Sequence, residues 1–173
     1  DDGTDASFHD EESDCLVCPA GAYAPTTGLA TCTNCTIGKF LWDPGVDESK
    51  HDSESDCSTC REGFYSNSGS TFCKPCPQPG TRCETPGTVV ETIPLEKGYW
   101  RWRQDVSSVL PCASGVDGGC IGTQNLTETY CKPTLAGPYC LLCNEEHFDN
   151  RSVESYFYNT TAHICSACDE ASL

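Results

Sequence analysis

The sequence lacks methionine entirely and is poor in the residues that usually build a hydrophobic core. Leu, Ile, Val and Phe together supply 28 of its 173 residues, about 16% of the chain. So little apolar content, combined with a net charge of −16, is typical of a disordered chain. No apolar run approaches the ~20 residues that a membrane-spanning helix requires. The chain begins at Asp1 rather than Met, so we expect a mature chain or a piece of a larger one.

Positive charge is also scarce, with 10 Lys and Arg residues against 26 Asp and Glu residues. The imbalance is strongest in residues 1–56, which hold 13 acidic and only 2 basic residues. Such a surface repels phosphate groups, which argues against nucleic acid or an anionic membrane as a partner. The acidic stretches could bind Ca²⁺, but they contain no EF-hand loop, and a solvated acidic arm is the simpler interpretation.

Cysteine, by contrast, is abundant, with 16 residues or about 9% of the chain. Small modules that bury little apolar surface use disulfides instead, and disulfides persist in oxidising compartments. Four sequons for N-glycosylation indicate the same compartment, and their acceptors are Asn34, Asn125, Asn150 and Asn159. We therefore predict an extracellular glycoprotein, secreted or on a cell surface, that carries N-linked glycans and needs no cofactor or metal ion.

The chain contains an internal repeat built on the motif Cys-x2-Cys. The first copy has Cys15, Cys18, Gly21, Tyr23, Gly28, Cys32 and Cys35, and the second has Cys57, Cys60, Gly63, Tyr65, Gly69, Cys73 and Cys76. Seven matching positions indicate a true repeat. The predicted regions are an acidic arm (1–14), repeat 1 (15–42), an acidic connector (43–56), repeat 2 (57–83), a hairpin segment (84–111) and a last cysteine-rich module (112–173).

Cys-x2-Cys has three possible meanings in this chain. Two pairs could hold zinc, and the 13 residues between Cys18 and Cys32 are near the spacing of zinc modules. A redox centre needs one such pair near a βαβ pattern, whereas this chain has six pairs and no such pattern. The sequons, the acidity and the four cysteines outside any pair favour a disulfide framework.

Sequence does not determine which cysteines bond to each other. We predict a crossed arrangement in which, of the four cysteines in two Cys-x2-Cys pairs, the first bonds to the third and the second to the fourth. The predicted pairs are Cys15–Cys32, Cys18–Cys35, Cys57–Cys73, Cys60–Cys76, Cys140–Cys165 and Cys143–Cys168. The remaining cysteines, Cys83, Cys112, Cys120 and Cys131, would complete about eight bridges in an order left open. Gly21 and Gly63 can take a positive φ where the chain turns back, and Tyr23 and Tyr65 would then cover a bridge.

The two repeats resemble a known family. "CLVCPAGAYAPTTGLATCTNC" matches its pattern throughout, and "CSTCREGFYSNSGSTFCKPC" departs at Arg61, where Pro is usual. Residues 13–83 resemble the growth-factor-receptor-type cysteine-rich repeats, in particular the ephrin-receptor-like form. The segment from "KGYWRWR" to "CSAC" is similar to the one that follows such repeats in large surface proteins of algae and other protists, and it is partly EGF-like. The resemblance implies extended extracellular modules that act as spacers, adhesion surfaces or receptor ectodomains, without catalytic residues.

The expected fold is small, disulfide-rich and mostly irregular, with short β-hairpins in elongated tandem modules of the EGF or TNF-receptor type. Residues 89–93 and 99–103 are predicted to form the two strands of one hairpin. The second of these, "GYWRWR", could dock a partner or stack on sugars through Tyr99, Trp100, Arg101, Trp102 and Arg103. The simpler interpretation is that both tryptophans form the small core of their module.

Two functions fit these observations. The first is a structural, N-glycosylated extracellular protein, a subunit or stalk of a surface filament or matrix, whose partners are other protein chains. Those chains would be copies of itself or the rest of a larger surface protein. The second is a ligand-binding ectodomain fragment of a cell-surface receptor. None of the four histidines (His9, His51, His147, His163) belongs to a recognisable nucleophile motif, so we predict no enzyme.

Overall fold

The computed structural model describes residues 16–29, 31–122, 130–148 and 156–168. The chain divides into two compact units. Unit 1 comprises Asp1–Pro75 and Glu84–Val89, and unit 2 comprises Cys76–Cys83 and Val90–Leu173. Across the described ranges, no helix is long and apolar enough to cross a membrane.

Regular structure consists of short antiparallel hairpins. Unit 1 pairs β1 (Ala22–Tyr23) with β2 (Thr33–Asn34), β3 (Lys39–Phe40) with β4 (Ser58–Thr59), and β5 (Phe64–Tyr65) with β6 (Lys74–Pro75). Unit 2 pairs β7 (Tyr99–Trp100) with β8 (Leu110–Pro111), β9 (Leu135–Ala136) with β10 (Leu142–Cys143), and β11 (Tyr156–Asn159) with β12 (Ile164–Ala167). One four-residue helix, α1, spans Glu145–Phe148. This confirms the predicted disulfide-rich, mostly irregular fold with short hairpins.

Short 3-10 turns occupy several of the connections. They span Glu48–Lys50, Glu54–Asp56, Val90–Thr92, Gly115–Asp117 and Pro138–Cys140. The first two lie in the acidic connector, so this polar stretch has a fixed conformation of its own. Ser53 and Asp56 form a capping box around the second turn, which satisfies backbone amides that the short turn leaves free.

One hairpin design recurs four times, twice as often as the predicted repeat. In each copy, a glycine with φ between +82° and +90° stands directly before a two-residue strand whose second residue is aromatic. These glycines are Gly21, Gly38, Gly63 and Gly98. The paired strand in each case is followed directly by a cysteine, and three of these cysteines donate their amide to the glycine carbonyl. The donors are Cys35 to Gly21 (2.8 Å), Cys60 to Gly38 (2.9 Å) and Cys112 to Gly98 (2.8 Å). The predicted positive φ of Gly21 and Gly63 is confirmed.

The predicted strand over residues 89–93 is wrong, because Val90–Thr92 forms a 3-10 turn. Val90 and Ile93, three residues apart, are both buried, as neighbours on such a turn are. The carbonyls of Val90 and Glu91 accept hydrogen bonds from the guanidinium of Arg101 instead of from a partner strand. The hairpin of this segment is therefore formed by β7 and β8, further along the chain.

Each unit has its own small core. In unit 1, Tyr23 and Leu41 pack with Cys35 and Cys57, so Tyr23 covers a bridge as predicted, although the bridge is a different one. In unit 2 the buried cluster contains Trp100, Leu135 and five cysteines, namely Cys112, Cys120, Cys131, Cys140 and Cys165. Five further aromatic or cysteine side chains pack against it; they are Tyr130, Tyr139, Cys143, Tyr156 and Tyr158.

Candidate functional site

The disulfide framework is the most extensive structural feature that could carry a function. The described bridges are Cys18–Cys32, Cys35–Cys57, Cys60–Cys73, Cys76–Cys83, Cys112–Cys120, Cys131–Cys140 and Cys143–Cys165. Their Cα atoms lie 5.3 to 6.5 Å apart, within the range that disulfides span. The disulfide interpretation of Cys-x2-Cys is confirmed. In the described part of the chain, no cluster of His, Cys, Asp or Glu could hold a metal ion.

The crossed pairing is wrong at every predicted bridge. Cys32 and Cys35 bond to Cys18 and Cys57, and not to Cys15 and Cys18. The predicted pairs Cys57–Cys73, Cys60–Cys76, Cys140–Cys165 and Cys143–Cys168 are replaced by Cys60–Cys73, Cys76–Cys83, Cys131–Cys140 and Cys143–Cys165. Cys15 lies outside the described residues, and Cys168 is free and exposed.

The physical reason for this connectivity in residues 32–76 is the two-residue strand inside each Cys-x2-Cys. In the first repeat, Thr33 and Asn34 form β2 between Cys32 and Cys35. Side chains three positions apart in an extended strand point to opposite faces. The first cysteine of a pair therefore bonds to a cysteine earlier in the chain, and the second bonds to a cysteine further along. We call this arrangement the disulfide relay.

Among the described bridges, no loop is nested inside another. The seven bridges close loops with sequence separations of 7 to 22 residues, and none of these loops overlaps another. A loop of about 15 residues restricts the unfolded chain by about 3 kcal/mol. Because the loops are separate, the restriction that each bridge imposes is independent of its neighbours.

Two of the four predicted glycosylation sites lie in the described residues. Asn34 is exposed in β2, where its side chain lies against Gly69; a Cβ added there would come within 3.0 Å of the Asn34 Cγ. Asn159 ends β11, and its Oδ1 accepts hydrogen bonds from the amides of Thr161 and Ala162, both at 2.9 Å. Asn125 and Asn150 lie outside the described residues. The occupancy of all four sequons stays a prediction.

The stretch "GYWRWR" divides into structural and exposed side chains. Trp100 is 6% exposed and packs against Tyr139, with ring centroids 4.9 Å apart. Trp102 lies beyond β7, is 68% exposed and meets Trp100 edge to face, with ring centroids 5.5 Å apart. The core interpretation is therefore correct for Trp100 and wrong for Trp102.

The other residues of this stretch are mostly engaged within unit 2. Arg101 is 2% exposed and donates to Tyr130 Oη at 3.0 Å, besides its bonds to the carbonyls of residues 90 and 91. A buried guanidinium needs such acceptors, so Arg101 is structural and unavailable to a partner. Tyr99 packs on Gly80, where any Cβ would clash with its ring. Arg103 pairs with Asp105 at the surface.

A buried ionic group in the connector was missed by the sequence analysis. The ring of His51 donates from Nδ1 to the carbonyl of Ala22 (2.7 Å), and its Nε2 lies 3.2 Å from Asp43 Oδ1. Burial raises the pKa of Asp43. The hydrogen bonds from His51, Gly45 and Val46, with the charge of Lys50, outweigh burial and hold that pKa below its ordinary value. These contacts attach the connector to the first hairpin.

A second charged contact lies near the sequon of Asn34. Lys39 Nζ lies 3.0 Å from Glu54 Oε1, and the hydroxyl of Thr36 donates to the same oxygen at 3.1 Å. The hydrogen bond from Lys39, then that from Thr36, lower the pKa of Glu54. Both side chains are exposed to solvent, so the pair adds little stability.

Neither a scan against protein-family models nor a search of the curated proteins finds a match to this chain. The resemblance to ephrin-receptor-like repeats therefore stays a prediction.

Proposed function

We propose that this chain is a structural, N-glycosylated extracellular protein that resists tension as a subunit or stalk of a surface filament or matrix. Its partners are copies of itself or other parts of a larger surface protein, and it has no catalytic role. The density of disulfides supports an oxidising, extracellular compartment. The strongly acidic composition supports protein and glycan partners over nucleic acid.

The observation that carries this proposal is the covalent path through the relay. Between Cys18 and Cys83, consecutive loops are closed by four bridges. Outside them lie only three two-residue segments, Thr33-Asn34, Ser58-Thr59 and Lys74-Pro75, which are the second strands of the hairpins. A pulling force therefore passes through disulfide bonds and these strands, and the chain within each loop stays unloaded.

Single-molecule force spectroscopy of the full chain tests this mechanical role. The seven loops have sequence separations of 14, 22, 13, 7, 8, 9 and 22 residues. At about 3.5 Å per residue, and less the 5.3 to 6.5 Å that each bridge already spans between its Cα atoms, reduction should therefore release roughly 29 nm of contour length. We expect the oxidised chain to extend without those steps. An oxidised chain that extends as far as the reduced one would contradict the proposal.

A single-bridge variant provides the matched control. Replacing Cys60 and Cys73 together by Ala should add one step of roughly 4 nm to the oxidised trace, since only that loop, with a separation of 13 residues, is released. Electron micrographs of material from the native source test the assembly itself. Continuous filaments or a matrix are the expected result, and isolated particles would count against the proposal.

The exposure of Trp102 favours a second candidate, a ligand-binding fragment of a receptor ectodomain. Exposed aromatic residues frequently anchor a protein partner. On this hypothesis Trp102→Ala lowers partner capture from the native surface without lowering the secreted yield, and Trp100→Ala lowers the yield because Trp100 is core. Equal capture by the wild type and Trp102→Ala would remove the receptor hypothesis.

A further inference from the structure

Trp42 is a large aromatic side chain held on a fixed backbone yet left in solvent. It follows β3, where Leu41 and Asp43 on either side are buried while the ring of Trp42 is 72% exposed. This alternation is that of an extended strand, in which neighbouring side chains point to opposite faces. Exposure therefore follows from the position of Trp42 between two anchored neighbours.

Both neighbours of Trp42 are tied to other elements of unit 1. The amide of Leu41 donates to the carbonyl of Ser70 (3.1 Å), and the carbonyl of Leu41 accepts from the amide of Gly21 (2.8 Å). On the other side, the Oδ1 atom of Asp43 accepts from the amides of Gly45 and Val46, at 3.1 and 3.3 Å. The indole thus stands on an ordered platform, which reduces the entropy that a ligand would lose on binding.

A cleft of about 150 Å³ opens beside this ring. It is lined by Phe40, Leu41, Trp42, Asp43, Lys50, Asp56 and Ser58. This volume corresponds to about five water molecules and is smaller than the pockets that enclose drug-sized ligands. The cleft is therefore suited to a single small ring with an apolar face.

The polar side chains of the cleft are those that recognise hydroxyl groups. Ser58 lies in β4 directly opposite Phe40, and within the described ranges its hydroxyl has no hydrogen-bond partner. Asp56 uses Oδ2 to accept the amides of Asp52 and Ser53, which fixes its carboxylate at the rim. An aromatic wall with acceptors, a hydroxyl and a cation around it matches the C–H face and hydroxyl rim of a sugar.

The charges of the cleft select among sugars. The ammonium of Lys50 lies 3.6 Å from Asp43 Oδ2 and 3.3 Å from Asp47 Oδ2, so its charge is already balanced by two carboxylates. Asp56 adds a further negative charge at the rim. The excess negative charge would repel the carboxylate of an acidic sugar, whereas it would not repel a neutral ring.

We propose that the cleft beside Trp42 binds one neutral hexopyranose ring at the end of a glycan. This gives the chain a glycan-binding site in addition to its structural role. The glycan comes either from another copy of this chain or from a separate polysaccharide, and the chemistry recognised is the same in both.

Saturation-transfer NMR on the full, oxidised chain tests the site. The probes are the methyl glycosides of glucose, mannose and galactose, with the methyl glycoside of glucuronic acid as the acidic counterpart. We expect saturation of the ring protons of at least one neutral glycoside, and at least tenfold weaker binding of the acid. Trp42→Ala should weaken the neutral ligand tenfold or more, while Trp42→Phe retains part of the binding.

Trp102→Ala is the matched control, because Trp102 is 68% exposed, close to the 72% of Trp42, but lies in unit 2. It should leave glycoside binding unchanged. A second variant, Ser58→Ala, should weaken binding several-fold with its disulfide map intact. No binding of any neutral glycoside, tighter binding of the acid, or equal loss in Trp42→Ala and Trp102→Ala would each overturn the proposal.

Enzymatic removal of N-glycans separates the two sources. If glycans of neighbouring copies occupy the cleft, the deglycosylated chain binds the free glycoside more tightly than the native chain does. If a separate polysaccharide is the ligand, the affinity is the same before and after treatment. Either result supports the site, provided that glycoside binding is lost in Trp42→Ala. Neither result bears on the force-spectroscopy test of the relay.

Discussion

Unit 1 and unit 2 use cysteine in different ways. In unit 1 the bridges Cys35–Cys57 and Cys60–Cys73 join successive hairpins, Cys18–Cys32 closes the first, and one buried cluster consists of Tyr23, Leu41, Cys35 and Cys57. In unit 2, five of the bridged cysteines lie inside one buried cluster around Trp100 and Leu135. Both units combine disulfides with apolar burial, and unit 2 adds a larger buried cluster that contains a tryptophan.

The difference shows how a chain with little apolar content folds at all. Where hairpins follow one another in a regular series, each Cys-x2-Cys links two neighbours and little burial is needed. Where the cysteines are spaced irregularly, as from Cys112 to Cys140, the aromatic side chains of unit 2 pack around the bridges. Apolar burial thus supplements the disulfides of unit 2.

The largest expected effect is the loss of the core of unit 2. Trp100→Ala should destabilise unit 2 by about 3–5 kcal/mol, because a large buried ring leaves a cavity. Trp102→Ala, the control, should cost about 1 kcal/mol or less, since only an edge contact at a solvent-exposed ring is lost. Hydrogen exchange of each unit measures both, and equal losses would mean that the cluster around Trp100 does not hold unit 2.

Opening one relay bridge should have the next largest effect. Replacing Cys60 and Cys73 together by Ala should lower the stability of unit 1 by about 3 kcal/mol, because the unfolded loop is released. Protection from hydrogen exchange should fall in unit 1 and stay unchanged in unit 2. Loss of protection to the same degree in both units would show that the Cys60–Cys73 bridge does not stabilise unit 1 selectively.

Two glycines with the same backbone conformation separate local strain from packing. Gly38 and Gly63 have φ of +83° and +82°. A Cβ added to Gly38 would lie 2.3 Å from the carbonyl oxygen of Gly87, whereas a Cβ added to Gly63 would have no atom within 4 Å. Gly63→Ala should therefore cost about 1–2 kcal/mol from backbone strain alone. Gly38→Ala should cost about 1–3 kcal/mol more, because overpacking adds to that strain. Equal melting temperatures of the two variants would contradict this close contact.

The smallest effect concerns pH and is confined to the connector of unit 1. Because the pKa of Asp43 is lowered in the folded chain, its ionised form contributes stability above the ordinary value of 3.8. This contribution is lost as pH falls through the lower, folded-state pKa. The stability difference between the wild type and Asp43→Asn should thus be constant at neutral pH and shrink below about pH 4.

The control for the pH experiment is Asp52→Asn, an exposed connector residue whose variant should give the same pH profile as the wild type. Urea unfolding between pH 2 and 7 measures all three chains. A difference between wild type and Asp43→Asn that persists unchanged to pH 2 would show that the carboxylate of Asp43 is not the source of the effect.

Local patterns in the sequence predicted the features that depend on local geometry. The glycine turns at Gly21 and Gly63 are as predicted, because each depends on backbone conformation within a few residues. The strand at residues 89–93 was wrong, since the partner for its carbonyls is Arg101 on a different segment. Burial of Asp43 and His51 had no local signal either, because their contacts join residues brought together only by folding.

By itself, the sequence determined that disulfides would replace a large apolar core, that the chain turns repeatedly at glycines, and that its surface is acidic. These properties follow from composition and from conformational preferences of single residues. Only the tertiary structure decided which cysteines bond and which tryptophans face solvent. The sequence places most cysteines in equivalent Cys-x2-Cys pairs, and the choice between the two cysteines of a pair depends on the face of the short strand to which each side chain points. That choice converts the expected crossed pairs into a relay that links successive hairpins.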